Sequence, residues 1–458
     1  MINLGTRVFE VADQAMFAAF SGDANPMHMD AVAARRTQAG APVVHGMHTL
    51  LWCLEMLARA RPGMAVASLK MRADRMIYLG DRVEAVLRQE TATGVRAEVL
   101  VEGAVACRVA LGFGAVGVAE TGGGGDLHAP AVAREVAFAA IAGMRGRVGF
   151  AVAADEAVRL FPAAAGMLGA RRVVGLGCLT RLVGMVCPGL HSIFGGVDLR
   201  LVEDRGGDEV GFAVKSVDER FRMVKLAVGG AGLQGGIDSF ARMPPVAQPG
   251  MAEVAGLVAP GAFAGSVVLV VGGSRGLGEV TAKIAAAGGA KVVVTYAAGQ
   301  ADGARVAGEI GGTAIAYDAL RPAAGQLGGL APTHVYYFAT PHIGRRKQPV
   351  FDAGRLDLFM RFYVTGFYDL CRALPGSAAM FYPSSVFVAE RPAELTEYAM
   401  AKAAGEELCR DLGRAMAPLR VVARRLPRLD TDQNSSVTAM ATERGLDVML
   451  PIVREVQG

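Results

Sequence analysis

Val267-Val-Leu-Val-Val-Gly-Gly-Ser-Arg-Gly-Leu-Gly278 decides the class of the C-terminal third of the chain. A short, fully apolar run, of the kind a buried strand needs, leads into a glycine loop and then a helical stretch. Lys291–Tyr296, His334–Phe338, Ala379–Tyr382 and Val421–Arg424 are further strand-like runs at intervals filled by helical sequence. Apolar strands alternating with helices predict βαβ units and a parallel sheet covered on both faces, an α/β doubly wound domain. The loop glycines would let a nucleotide's pyrophosphate approach the backbone at the helix N-terminus.

Outward from this domain, two glycine- and proline-rich stretches read as joints. One is Thr121–Asp126, followed by Pro130; the other runs from Met243 to Gly265 and carries Pro244, Pro245, Pro249 and Pro260. They divide the 458 residues into segments 1–120, 128–243 and 264–458, which agrees with about 150 residues per domain. With 52% hydrophobic and 20% charged residues the chain can bury large cores, which excludes disorder and coiled coil. The 60 glycines follow no G-x-y period, so collagen is excluded. A net charge of +4, scattered arginines and one Trp argue against nucleic-acid binding and suit an anionic small molecule. The six cysteines form no CxxC and read as buried thiols in a reducing compartment. Glu10 and Asp13 interrupt the N-terminal apolar pattern, which rules against a signal peptide. No apolar run reaches the ~18 residues needed to span a bilayer. The expected setting is the cytoplasm.

The first two segments look like diverged copies. Pro62-Gly-Met64 precedes Ser68-Leu-Lys-Met-Arg72, and Pro188-Gly-Leu190 precedes Gly196-Val-Asp-Leu-Arg200. An apolar helical stretch comes before each Pro-Gly (Met47–Ala60, Leu176–Val186), and alternating runs such as Val95–Val109 and Glu209–Val217 come after. One long helix followed by a strand meander, twice over, predicts two similar α+β modules.

Ser21-Gly-Asp-Ala-Asn-Pro-Met-His-Met-Asp30 puts an acid, an amide and an imidazole in one tight loop, with Asp23 and His28 able to aim at one point. Val43-Val-His-Gly-Met47 then enters the long helix, whose first N–H groups can polarise a carbonyl oxygen. These groups together are what adding water across a carbonyl-conjugated double bond requires. Gly22-Asp23, Asn25-Pro26-x-His28, Asp30, His45-Gly46 and Tyr78-x-Gly80-Asp81 resemble the MaoC-like, (R)-specific enoyl-CoA hydratases of the hot-dog fold, over residues 1 to about 115. The resemblance implies Asp23 and His28 as the catalytic pair and Gly46 as the oxyanion donor. The second module lacks the motif, which implies a non-catalytic partner in a double hot-dog. Such folds commonly self-associate, so a homo-oligomer is implied.

In the C-terminal segment Tyr398 and Lys402 share one helix face, and Ser385 lies at a strand end. An ammonium beside a phenol would favour the phenolate and let Tyr398 exchange a proton with a carbonyl or hydroxyl. Gly272, Ser274, Arg275, Gly276, Leu277 and Gly278 of the loop, Asp318, Ser385, Tyr398-x-x-x-Lys402, and Pro427 with Thr431 resemble the short-chain dehydrogenase/reductase family, over about 264–435. The resemblance implies a Rossmann-type fold, with Ser385, Tyr398 and Lys402 catalytic and the loop, Asp318 and Lys402 holding the cofactor. Val294-Thr-Tyr-Ala-Ala298 offers no carboxylate to a ribose 2′-hydroxyl, and Arg275 suits a 2′-phosphate, so NADP(H) is expected. Three features depart from the family: Phe338-Ala339-Thr340 replaces its Asn-Ala-Gly, Tyr363 stands at the relay asparagine, and the 27 residues after Thr431 are short for a substrate lid and last strand.

The reading is therefore a bifunctional enzyme on acyl-CoA or acyl-carrier-protein thioesters, pairing 3-ketoacyl reduction with hydration/dehydration and using no metal. Its rivals are a monofunctional hydratase with a reductase-like scaffold and a non-enzymatic acyl-thioester-binding protein.

Overall fold

The computed structural model describes residues 2–119, 125–344, 351–432 and 442–458. Two compact units make up the chain, one reaching Pro244 and the other beginning at Pro245. Residues 120–124, most of the first expected joint, lie outside the described residues.

In the first unit, β1 (Ile2–Val8), β2 (Val66–Ala73), β3 (Arg82–Thr91), β4 (Gly94–Val101) and β5 (Ala104–Phe113) pair antiparallel in the order β1-β3-β4-β5-β2. Next come β6 (Leu127–His128), β7 (Arg145–Gly149), β8 (Ser192–Leu201), β9 (Glu209–Asp218), β10 (Met223–Gly230) and β11 (Leu233–Ala241). They pair in the order β8-β11-β10-β9-β7-β6. Apart from the two-residue β6, the second set repeats the order of the first. The sets meet where β2 runs antiparallel to β8, with Ser68 opposite Arg200, Lys70 opposite Asp198 and Arg72 opposite Gly196. These are the stretches aligned by the sequence repeat, and the counterparts Lys70 and Asp198 form an ion pair of 2.7 Å. That pair is solvent-exposed and contributes about 0–1 kcal/mol.

The core beneath the sheet outweighs it. The helices Gly46–Ala60 and Ala170–Arg181 bury Leu50, Leu54, Leu57, Val173, Leu176 and Leu179 against inward strand residues such as Val83, Val99, Leu199 and Ile237. Each such side chain contributes roughly 1.5–3 kcal/mol. A π-helical turn, Leu182–Val186, extends the second helix.

In the second unit, β12 (Val267–Val271), β13 (Lys291–Tyr296), β14 (Thr313–Ala316), β15 (His334–Tyr337), β16 (Ala379–Ser385) and β17 (Arg420–Leu426) form a parallel sheet ordered β14-β13-β12-β15-β16-β17. Alternate residues of a strand point to opposite faces. Val268 and Val270 enter one core with the helices Gly276–Ala287 and Gly445–Gln457. Leu269 and Val271 enter another with the helices Ala353–Met360, Gly366–Ala373 and Thr396–Ala415. This double coverage is why the strands read as unbroken apolar runs.

One expectation needs correcting. The stretch Met243–Gly265, read from its prolines as a joint, is largely part of the second unit. It carries the helix Met251–Ala255 and buries Val254, Val258 and Phe263 in the first of these two cores. All six cysteines are free and buried. No helix among the described residues is long and apolar enough to cross a membrane.

Candidate active sites

Asp23 is fully buried in the turn that leaves the helix Val11–Ser21. Its Oδ1 accepts the Asn25 N–H at 3.0 Å and its Oδ2 accepts the Thr180 hydroxyl at 2.7 Å. Asn25 caps the turn Pro26–Met29 by accepting from the Met27 N–H, and its Nδ2 donates to the Gly184 carbonyl at 2.7 Å. His28 Nδ1 donates to the Val43 carbonyl at 2.7 Å, which leaves Nε2 as the basic atom of the neutral ring. Gln14 Nε2 donates to the same carbonyl at 2.8 Å. The rings of His28 and His45 stack at 3.9 Å. Burial pushes the Asp23 carboxyl above its ordinary range, against the opposing pull of His28, Thr180, Asn25 and Arg181. Burial, reinforced by His28, holds His45 neutral, well below the usual histidine value.

Asp23, His28 and His45 bring one oxygen and two nitrogens within 4.8 Å of one another. His45 is nonetheless poorly disposed to hold a metal: its Nε2 faces the Asp23 main-chain oxygen at 3.0 Å and its Nδ1 faces Gln14 Oε1 at 3.3 Å. A carboxylate oxygen of Asp23 and a ring nitrogen of His28 thus lie within 4.8 Å of each other.

Gly46 is the first residue of its helix, with His45 as the cap. It lies beside Met71 and Phe194, where a Cβ would make ordinary contacts at 3.6 and 3.9 Å. The glycine therefore answers no steric need. Its amide is among the helix N–H groups with no partner inside the helix, at the positive end of the dipole.

Three contributors were not singled out from the sequence. Gln14 braces the Val43 carbonyl. Thr180 and Gly184 come from the second half of the unit, which carries no motif of its own. A Cβ at Gly184 would lie 2.5 Å from Asp23 Oδ1 and 2.7 Å from Oδ2, so this glycine makes room for the carboxylate. It lies in the π-helical turn, a distortion frequent at functional sites. The available signal was a hydroxyl and a glycine within the largely buried run 173–186.

In the second unit, Ser385 ends β16, and Tyr398 and Lys402 lie on the helix Thr396–Ala415. Ser385 pulls the titration of the Tyr398 phenol down, against burial, and its Oγ accepts the Phe387 N–H at 3.2 Å. The lysine ammonium is directed elsewhere than toward the phenol. Its Nζ donates to the Pro383 carbonyl at 2.6 Å and sits 3.9 Å above the Tyr363 ring, against 5.9 Å from the ring of Tyr398. Burial pushes Tyr398 up to about 12 and Lys402 down to about 7, so the phenol is not made acidic. Two of the family departures meet here, because the Tyr363 hydroxyl hydrogen-bonds Thr340 Oγ1 at 2.6 Å.

The glycine loop precedes the helix Gly276–Ala287. Gly276 takes φ +55° with open space where a Cβ would stand, and Gly272 takes φ +76° against the Phe338 carbonyl. Ser274 is buried, and Leu277 packs in the helix's first turn. A Cβ at Gly278 would strike the Gly272 carbonyl oxygen. Asp318 Oδ1 caps the Leu320 N–H after β14. Arg275, expected to meet a 2′-phosphate, pairs with Asp432 at 3.2 Å.

No curated protein matches the chain. Among solved structures it is similar to a Pseudomonas syringae short chain dehydrogenase (22% identity, 44% of this chain and 92% of that one, TM-score 0.40). It is also similar to an Escherichia coli CFT073 short chain dehydrogenase complexed with NADPH (19%, 43% and 92%, TM-score 0.38) and to BdcA in complex with NADPH (21%, 43% and 89%, TM-score 0.38). Residues 5–109 match the family model described as the MaoC like domain, and that segment holds Asp23, His28 and Gly46.

Proposed function

We propose that the chain is a bifunctional acyl-thioester enzyme of the cytoplasm. The first unit is a double hot-dog, with 1–120 catalytic and 128–243 its partner. It carries out (R)-specific hydration of enoyl thioesters and the reverse dehydration. The juxtaposition of the Asp23 carboxylate and the His28 ring, within 4.8 Å, carries this reading. A water between the two groups gives up a proton to one of them as its oxygen bonds to C3. The proton taken up is balanced by delivery of one to C2, and the Gly46 N–H steadies the enolate oxygen in between. Hydration of crotonyl-CoA, followed by loss of enoyl absorbance, tests the reading; no turnover of CoA or carrier-protein thioesters of several lengths defeats it. Gly184→Ala is expected to displace the carboxylate and lower this rate about a hundredfold. The control Gly166→Ala, where a Cβ meets nothing within 4 Å, is expected to keep it.

In the second unit, residues 264–458 are read as a short-chain-type 3-ketoacyl reductase using NADP(H). The open space at Gly276 beside a helix N-terminus suits a pyrophosphate. When bound, NADPH supplies the hydride for the C3 carbonyl. Tyr398 gives that oxygen its proton and Ser385 holds it. The 3-hydroxyacyl product is the substrate of the dehydration, which gives the fusion its chemical logic. Tyr398→Phe is expected to slow NADPH oxidation with acetoacetyl-CoA by about a hundredfold or more, with NADPH fluorescence titration unchanged. A second reading, a hydratase with a reductase-like scaffold, draws support from the Arg275–Asp432 pair and from Lys402 lying over Tyr363. Wild-type protein that hydrates crotonyl-CoA but binds no NADPH selects it.

A further inference from the structure

We propose that Thr180, from the half of the first unit that lacks the catalytic motif, is a positioning residue for Asp23: its hydroxyl holds Oδ2 and fixes the carboxylate facing His28. The inference rests on the hydratase reading of the site. Thr180 is 3% exposed and sits among Cys178, Leu179, Leu182 and Val183, all buried. A helical threonine usually turns its hydroxyl back on the carbonyl one turn earlier. Thr180 instead donates at 2.7 Å across the unit to a residue 157 positions away. A hydroxyl has one proton to give, so this donation leaves none for its own helix.

The rest of the Asp23 surroundings cannot replace that donor. The Asn25 N–H serves the other oxygen, Oδ1. His45 Nε2 stands 3.9 Å from Oδ2 and is turned to the Asp23 main-chain oxygen. Arg181 donates to the Gly149 carbonyl. Gly184 adds only the absence of a side chain. β-Branching restricts Thr180 at χ1, so it makes a rigid donor. The charged and titratable groups around the carboxylate are thus His28, His45 and Arg181, and among the contacts described Thr180 is the side-chain donor to Oδ2.

Thr180→Val keeps the shape and removes the hydroxyl; Thr180→Ser keeps the hydroxyl. In crotonyl-CoA hydration, Thr180→Val is expected to lower kcat about tenfold with KM within about twofold, and to move the acidic limb of the pH profile to higher pH, because the carboxylate loses a donor. Thr180→Ser is expected to recover most of kcat and the wild-type limb. A merely structural threonine would lower thermal stability and leave the limb in place. A valine variant with wild-type kcat and limb overturns the proposal. If the wild type hydrates no thioester, the functional reading has failed separately. The Asp23 carboxyl is then titrated by ¹³C NMR, where a rise in Thr180→Val supports the coupling and no change overturns it.

Discussion

Asp23→Asn is expected to lower hydration of crotonyl-CoA by about a thousandfold, within the range for loss of a general acid or base, without unfolding the protein. The amide fits the contacts already present. Its oxygen can accept the Asn25 N–H, and its nitrogen can donate to Thr180, whose hydroxyl accepts as readily as it donates. Stability should even rise at neutral pH. Burial lifts the folded-state titration of Asp23 above its ordinary value. Below that ordinary value the carboxyl is neutral in both states and costs nothing. As pH climbs through the folded-state titration, the buried charge comes to oppose folding, and above it the cost is constant. The variant escapes this cost. Melting curves should therefore show Asp23→Asn at least as stable as wild type near pH 7, with the gap closing as pH falls toward about 4. Retention of a tenth or more of the activity, by any rough count, would remove Asp23 from the chemistry. Lower stability at every pH would make it a structural residue.

The second large effect is expected from Gly46→Pro. Proline is favoured at the first position of a helix, where its missing N–H removes no intrahelical bond. The preceding residue, His45, has φ −57° and ψ 129°, the conformation a residue before proline adopts. The substitution thus deletes one amide donor and little else. Loss of an oxyanion donor costs about a hundred- to a thousandfold in kcat. The expected result is a loss of that order with an unchanged melting temperature. Gly46→Ala, which keeps the N–H and meets Met71 and Phe194 at ordinary distances, should lose far less. Near-wild-type hydration by the proline variant would mean that the enolate oxygen is held elsewhere.

What the sequence made legible was local. Asp23 and His28 share one short loop, and Gly46 opens a helix, so their placement was readable from spacing, while the roles proposed for them rest on the resemblance. The parallel sheet was readable because burial on both faces removes polar residues from its strands. Thr180 and Gly184 were not, since a threonine and a glycine on a helical stretch are commonplace until the tertiary fold sets them against a carboxylate. The same holds for Arg275, whose acid partner arrives from beyond β17, and for Tyr363 and Thr340, separate departures that form one hydrogen bond. Counting prolines between Met243 and Gly265 concealed the apolar spacing of Val254, Val258 and Phe263, which ties most of that stretch into the second unit.

The seam between β2 and β8 bears on how the first unit can be divided. A fragment stopping before the second half would carry β2 as a bare edge, with a row of unpaired backbone groups along Ser68–Arg72 inviting intermolecular pairing. It would also keep Asp23 and His28 while losing the hydroxyl and the gap that seat the Asp23 carboxylate. On the proposed reading labour is divided between the halves: one holds the reacting groups and the other shapes their seat, so neither half alone is expected to turn over substrate.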